Sequence, residues 1–248
     1  MYDHLTPFWM PSQRSFEAWT LLSAVASHTT RIRVGTLVTN VNFRNPGLLA
    51  KMATTVDNIS DGRLIVGLGI GDKMSIKELR SYGYQFPPLD ERITRLRETI
   101  QILRALWSGR PAVVQGKTYR ISNAICLPKP KQENGPPIWI GGRHRRLVDA
   151  AAEFADGWNH WNLPVGKVLE LEGLLSERCA ELDRDPDSIV ESWAGTLITD
   201  SKPNLTDTIR GQVEAQMGKR TGYFIATFPE NSEYRVYEAF PEAVRSIS

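Results

Sequence analysis

His4 is the residue near the start of the chain best suited to moving a proton at neutral pH. An imidazole titrates in that range and can accept a proton from a substrate hydroxyl while hydride leaves the carbon. A solvated, loosely held terminal histidine is the bland alternative. Close behind it, Phe8 and Trp9 offer large aromatic faces that pack against a substrate or cap the core. Gly69-Ile70-Gly71-Asp72 ends an apolar run. Glycines there let the backbone approach a ligand, and Asp72 either meets that ligand or caps a following helix. Glu78 lies one to two turns further on as a weaker candidate. Gly141-Gly142-Arg143, with Arg145 and Arg146 behind it, reads as an anion site. Successive N–H groups at a helix start point at an anion, the macrodipole adds to them, and guanidinium groups complete the charge match. A solvated basic helix start is the other reading. Trp158, His160 and Asn162 follow the next strand, where they face either a substrate or the core.

These residues need elements that hold them together, and hydrophobic periodicity predicts such elements. Residues 32–39 read as a strand, and Asn45-Pro46 then opens a helix, because proline's missing N–H costs nothing in the first turn. That helix turns Leu49, Met52, Ala53, Val56 and Ile59 inward and stops near Gly62. The near-continuous apolar run 64–70 suits a strand covered on both faces. Upstream, 16–27 reads as a helix with Phe16, Trp19, Leu22, Val25 and Ala26 on one face. The clearest helix is 90–107, where Ile93, Leu96, Ile100, Leu103 and Trp107 recur at spacings of three and four. Residues 112–114 and 118–121 flank Gln115-Gly116-Lys117 as a β-hairpin, which can act as a lid. The pattern continues with a strand at 138–140, a helix at 145–155, a strand at 157–161, a helix at 166–182 and a strand at 190–198. It closes with a helix at 204–217, a strand at 223–227 and a helix from Glu233. Alternating strand and helix implies a parallel sheet with right-handed crossovers and six full strands. No linker interrupts it, so 1–248 is expected to be one α/β domain with a hairpin insertion at 111–125. The glycine and polar residues collect after the strands, where α/β folds bind ligands.

The bulk composition narrows the function classes. With 248 residues, 41% hydrophobic and 23% charged, the chain is an ordinary globular protein that can bury a core. A net charge of +2 and the lack of a basic stripe with interleaved aromatics argue against nucleic acid as a partner. Cys126 and Cys179 have no metal-type spacing and fit a reducing cytosol. No apolar run is long enough for a membrane span, and the N-terminus lacks a basic region followed by an apolar one. The expected location is cytoplasmic, with no membrane partner and no metal.

The order and spacing of several motifs resemble the bacterial-luciferase-like flavin and deazaflavin oxidoreductases, most closely the F420-dependent branch. The resemblance rests on Asp3-His4, Phe43-Arg44-Asn45-Pro46, Ser60-Asp61-Gly62-Arg63-Leu64 and Gly67-Leu68-Gly69-Ile70-Gly71. It continues through Tyr82-Gly83 with Glu91-Arg92, the block from Pro136 to Gly142, and Ala155-Asp156-Gly157-Trp158-Asn159. It implies a (β/α)8 TIM barrel, a small organic substrate and a homodimer. Family members carry a strand, a helix and most of a second strand before the Asp-His pair, and here only Met1-Tyr2 precedes it. The barrel is therefore expected to be incomplete at its N-terminus, through a shortened sequence or a natural truncated paralogue.

The resemblance also implies roles. His4 matches the family's catalytic base, Trp9 a tryptophan beside the reacting carbon, and Asp72 a carboxylate near the ring nitrogen that gains a proton. Thr36-Leu37-Val38 falls where the family often has a cis peptide against one face of the flavin, and Asn40 faces the same ring. Gly69, Gly71, Gly141, Gly142 and Arg143 would complete the cofactor site, with Trp158 and His160 toward substrate. The implied activity is hydride transfer with coenzyme F420. The alternatives are a two-component monooxygenase using FMN, fed by a partner flavin or F420 reductase, and a non-catalytic flavin-binding or truncated paralogue.

Overall fold

A computed structural model describes residues 1–6, 14–197, 204–228 and 235–247. The chain forms two units, Met1–Ile140 and Gly141–Ser248. The first contains α1 (Ala18–Ser27), β1 (Val34–Asn40), α2 (Pro46–Ile59), β2 (Leu64–Gly69), α3 (Ser75–Ser81), α4 (Leu89–Trp107), β3 (Ala112–Gln115), β4 (Arg120–Ala124) and β5 (Ile138–Gly141), whose last residue opens the second unit. The second continues with α5 (Arg145–Phe154), β6 (Gly157–Trp161), α6 (Val165–Glu181), β7 (Val190–Thr196), α7 (Leu205–Glu214), β8 (Thr221–Thr227) and α8 (Arg235–Arg245).

In the first unit β1, β2 and β5 are parallel neighbours, with Val34 opposite Leu64 and Val66 opposite Ile138. The β1 register shifts between Thr36 and Thr39, around a cis peptide at Leu37–Val38. Asn45 accepts the Gly47 N–H at 2.8 Å and Pro46 fills the first turn, so α2 starts where the proline rule places it. In the second unit β6, β7 and β8 are parallel, with Trp158 opposite Glu191 and Trp193 opposite Phe224. Six parallel strands among the described residues match the expected count and fall short of the eight in a closed barrel.

Several side chains differ from the sequence reading. Phe16 is 73% exposed, because Glu17 caps α1 by accepting the Thr20 N–H at 2.7 Å and the helix begins only at Ala18. Ile59 is exposed because it is the last residue of α2. The helix Ser75–Ser81 is an element that periodicity did not single out; seven residues are too few for a clear amphipathic repeat. Residue 198 and Glu233, where a strand end and a helix start were expected, lie outside the described residues. No described helix is long and apolar enough to cross a membrane.

The β3–β4 hairpin is antiparallel, with Val114 opposite Ile121. Its turn is pinned by Glu98 of α4, a buried carboxylate that accepts the N–H groups of Lys117 at 2.6 Å, Thr118 at 3.0 Å and Tyr119 at 2.9 Å. A carboxylate accepting backbone N–H groups makes charge-assisted bonds that are stronger than neutral ones. Glu98→Ala is therefore expected to cost about 2–3 kcal/mol in denaturant unfolding. The first cut in limited proteolysis should then move into residues 112–124.

Candidate active site

The side chains that could do chemistry in the first unit gather past the end of β1. Residues 1–4 run alongside that strand. The Met1 amino group donates to the Gly35 carbonyl at 2.7 Å, and the Leu37 N–H donates to the Met1 carbonyl at 2.7 Å. Further along, the Asn40 N–H donates to Asp3 Oδ2 at 3.1 Å. Asp3 is buried and also takes a two-pronged bond from Arg44, at 2.6 and 2.9 Å. Asp3 is thereby a fastener, and the next residue, His4, stands level with the C-terminal end of β1. Its Nδ1 lies 2.7 Å from Glu78 Oε2 on α3, and the two side chains are 24% and 2% exposed. Burial pushes the Glu78 carboxyl up, but hydrogen bonds from His4, Thr6 and Leu5 together with the His4 charge outweigh it and hold it below the ordinary carboxylate range.

The neighbouring strand ends complete this patch. Leu37 and Val38 are half-buried. The Val38 side chain occupies the space beside Gly69, where an added Cβ would lie 2.3 Å from its Cγ2. Gly71 has φ +69° and sits against the Asn40 side chain. Asn40 Oδ1 accepts from the Asn42 N–H at 3.1 Å and from Asn42 Nδ2 at 2.9 Å, and Asn42 Nδ2 also donates to the Ile70 carbonyl at 3.0 Å. Asn42 Oδ1 is buried without a donor among the described residues, which leaves an acceptor for a ligand N–H. Sequence reading missed Asn42; the signal was the run of asparagines at 40, 42 and 45 directly after a strand. Arg92 fixes the end of β2 by donating to the Gly71 carbonyl at 2.7 Å.

Two expected site residues take other positions, and a third lies outside the described residues. Thr36 is turned toward α1: its hydroxyl donates to the Gly67 carbonyl at 3.1 Å and accepts from Thr39, which in turn accepts from Trp19 Nε1. Thr36 thus belongs to the helix side of β1, not to the patch at Leu37, Val38, Asn40, Gly69 and Gly71. The Asp72 carboxylate accepts the N–H groups of Met74 at 2.9 Å and Ser75 at 3.1 Å, so it caps the start of α3, the second of the two roles weighed for it. Trp9 and Phe8 lie outside the described residues.

In the second unit the glycine pair is partly used up by the fold. The Gly142 N–H donates to the Asn159 carbonyl at 3.0 Å, and an added Cβ there would lie 2.4 Å from Leu147 Cδ1. Gly142 is therefore a sheet and packing residue and has no N–H to give an anion. Arg143 and Arg145 are exposed at the start of α5 and border a groove of about 380 Å³ together with Lys167. Glu170, which pairs with Lys167 at 2.6 Å, and Glu177 line the same groove.

Trp158 and His160 are also reassigned. Alternation along β6 puts both on the side covered by α6, fully buried, with rings 5.4 Å apart. Trp158 Nε1 donates to the Gly142 carbonyl at 2.9 Å. His160 Nε2 lies 3.6 Å from Glu191 Oε1, which also accepts from the Thr221 hydroxyl at 2.8 Å. Neither side chain is placed to meet a substrate. Asn159 and Trp161 take the opposite face; Asn159 Nδ2 donates to Ser192 Oγ at 2.8 Å. Asn162 follows in a turn with φ +43°.

Behind His160 lies a buried carboxyl pair. Glu172 of α6 accepts the Arg220 N–H at 3.0 Å. Burial, followed by its hydrogen bond to and the charge of Glu191, raises its carboxyl above the ordinary range despite that backbone bond. A raised folded value means that the native state keeps a proton which the unfolded chain releases, so stability falls as pH rises from the ordinary carboxylate range through the raised value. Glu172→Gln keeps a donor toward Glu191 and cannot ionise. It should flatten that decline and melt a few degrees above the parent at pH 8, read by calorimetry from pH 4 to 9.

A parallel α/β fold with a His–carboxylate pair and glycine turns beyond its strand ends is the arrangement in which barrel enzymes hold their ligands, at the C-terminal ends of the strands. The chain belongs to the luciferase-like monooxygenase family, which residues 5–228 match. Among curated relatives, an F420-dependent glucose-6-phosphate dehydrogenase of Nocardia farcinica is 29% identical over 265 residues, covering 93% of this chain and 76% of that protein. A second, from Microbacterium testaceum, is 31% identical over 157 residues, with 63% of this chain and 45% of that protein covered. A phthiodiolone/phenolphthiodiolone dimycocerosates ketoreductase of Mycobacterium bovis is 28% identical, with 75% and 48% covered. The chain thus spans about half the length of two of these relatives. Among solved structures, an F420-dependent secondary alcohol dehydrogenase in complex with an F420-acetone adduct superposes with a TM-score of 0.73 at 20% identity, over 98% of this chain and 80% of that one. The fold is that of the luciferase-like barrels, with six of the parallel strands among the described residues.

Proposed function

We propose that this chain is an F420-dependent oxidoreductase that transfers hydride between the deazaflavin and a small organic substrate. The observation that carries the reading is the placement of His4, level with the end of β1 and bonded to Glu78, beside the partly exposed patch of Leu37, Val38 and Gly71 with the buried Asn40 and Gly69 behind it. That patch fits a planar ring: it is half-exposed at Leu37 and Val38, has the Val38 side chain beside Gly69 and the Asn40 side chain beside Gly71, and holds the spare acceptor of Asn42. The deazaflavin supplies the two-electron hydride chemistry. Around it, Leu37 and Val38 would support the ring, Asn40 and Asn42 would orient it, and His4 would accept or return the substrate hydroxyl proton. The names of the curated relatives support F420 over FMN. A homodimer, a cytoplasmic location and a separate reductase that renews the cofactor belong to the same reading.

Fluorescence titration of the purified chain with F420 and with FMN tests it, followed by absorbance assays of F420 reduction with glucose-6-phosphate and propan-2-ol. Saturable micromolar binding of F420 with reduction by either alcohol is the expected result. Preference for FMN would point to the monooxygenase reading instead, and binding of neither cofactor to the non-catalytic one.

A further inference from the structure

We propose that Glu78 is a positioning residue that sets the tautomer of His4, keeping the proton on Nδ1 so that Nε2 carries the lone pair. The inference rests on the reading of His4 as the proton acceptor, and it adds the group that makes the imidazole competent for that task.

Three donors converge on the Glu78 carboxylate. Oε2 faces His4 Nδ1 at 2.7 Å, and Oε1 takes the N–H groups of Leu5 and, at 3.0 Å, Thr6. The side chain is almost fully enclosed, and an enclosed carboxylate served by three donors is held ionised. An ionised carboxylate can only accept, so the hydrogen shared with His4 belongs to Nδ1. In a neutral imidazole the other nitrogen is then the base. The same carboxylate also clamps the two residues after His4, while Asp3 is tied to Arg44 and to the Asn40 N–H on the other side. The imidazole is therefore fixed in tautomer and its backbone is fixed from both directions, the preorganisation that proton transfer requires.

Glu78→Gln isolates this role. The amide oxygen can still accept from Leu5 and Thr6, so the turn is retained. The amide NH2 would face Nδ1, which must then accept, and the proton moves to Nε2. The size and shape of the site stay the same while the base nitrogen is capped.

The test uses the full chain labelled with 15N-histidine. It contains four histidines, and His4 is assigned with a His4→Asn protein. Two-bond 1H–15N spectra at pH 8 should show the Nδ1–H pattern for His4 in the parent and the Nε2–H pattern in E78Q. F420 affinity should remain within about twofold, while single-turnover oxidation of propan-2-ol falls by about 10²–10³-fold, within the range that a positioned general base contributes. A carboxylate that only braced the loop would lower the melting temperature and leave the tautomer alone. An Nε2–H pattern in the parent, or the same tautomer in both proteins, overturns the proposal. A parent that binds no F420 and turns over no alcohol removes the functional reading, and the spectra still decide the role of Glu78.

Discussion

His4→Ala is expected to bind F420 as the parent does and to transfer hydride about 10³-fold more slowly, within the span measured for loss of a positioned general base. The expectation follows from where the residue sits. Its Nδ1 is engaged by Glu78, its side chain is 24% exposed, and residues 1–4 are laid along β1 by the bonds of Met1 and Asp3. Removing the ring leaves those backbone bonds in place and deprives Glu78 of one of three donors, a loss of about 1–2 kcal/mol in stability. The ring patch is untouched, so cofactor affinity and catalytic rate should separate. Stopped-flow single turnovers with saturating F420 and propan-2-ol measure this, and added free imidazole should restore part of the rate. A variant within about threefold of the parent would mean that another group takes the proton.

The largest structural effect is expected at Gly67. An added Cβ there would lie 2.1 Å from the Thr36 carbonyl oxygen and 3.1 Å from its carbon. Both are backbone atoms of the adjacent strand, so no side-chain rotation relieves the clash. Gly67→Ala must push β1 away from β2, at the point where the β1 register already shifts. A cost above about 3 kcal/mol is expected, seen as a melting temperature lowered by 10 °C or more or as insoluble protein. Gly69→Ala provides the contrast. There the obstacle is the Val38 side chain, so Val38→Ala in the same chain should recover most of the loss. Gly173→Ala on α6 meets nothing within 4 Å and should be neutral or slightly stabilising.

Much of the fold was legible because each crossover repeats a strong local pattern. The helix Leu89–Trp107 and the strand Leu64–Gly69 lie within a residue of their predicted bounds, since one has a clear 3.6-residue period and the other an unbroken apolar run. Burial on both faces of β1 and β6 explains what was not legible. A strand buried on both faces carries no polarity difference to say which face meets helices, so Thr36, Trp158 and His160 were assigned to the ligand side and fold to the other. The polar residue between the two aromatics, Asn159, was the available clue. The glycine pair at 141–142 misled differently: composition shows a free N–H at every glycine, and only the register of β5 and β6 shows that Gly142 has spent its own on Asn159. The cis bond at Leu37–Val38 lies where the family resemblance located it, since no property of those three side chains demands it. The contact of His4 with Glu78 spans 74 positions and leaves no trace in spacing.

The orientation of β6 also bears on how substrate range could be re-engineered. A saturation library at 158 and 160 would look attractive, since both are large, ring-bearing and next to a strand end. Nearly every member would hollow out the layer beneath α6 or strand Glu191 without its neighbour, so the screen would sort clones by solubility instead of selectivity. On the other face of the same strand Asn159 is also buried and bonded to Ser192, so position 161, 38% exposed, is the one on β6 where a changed side chain leaves the packed interior alone.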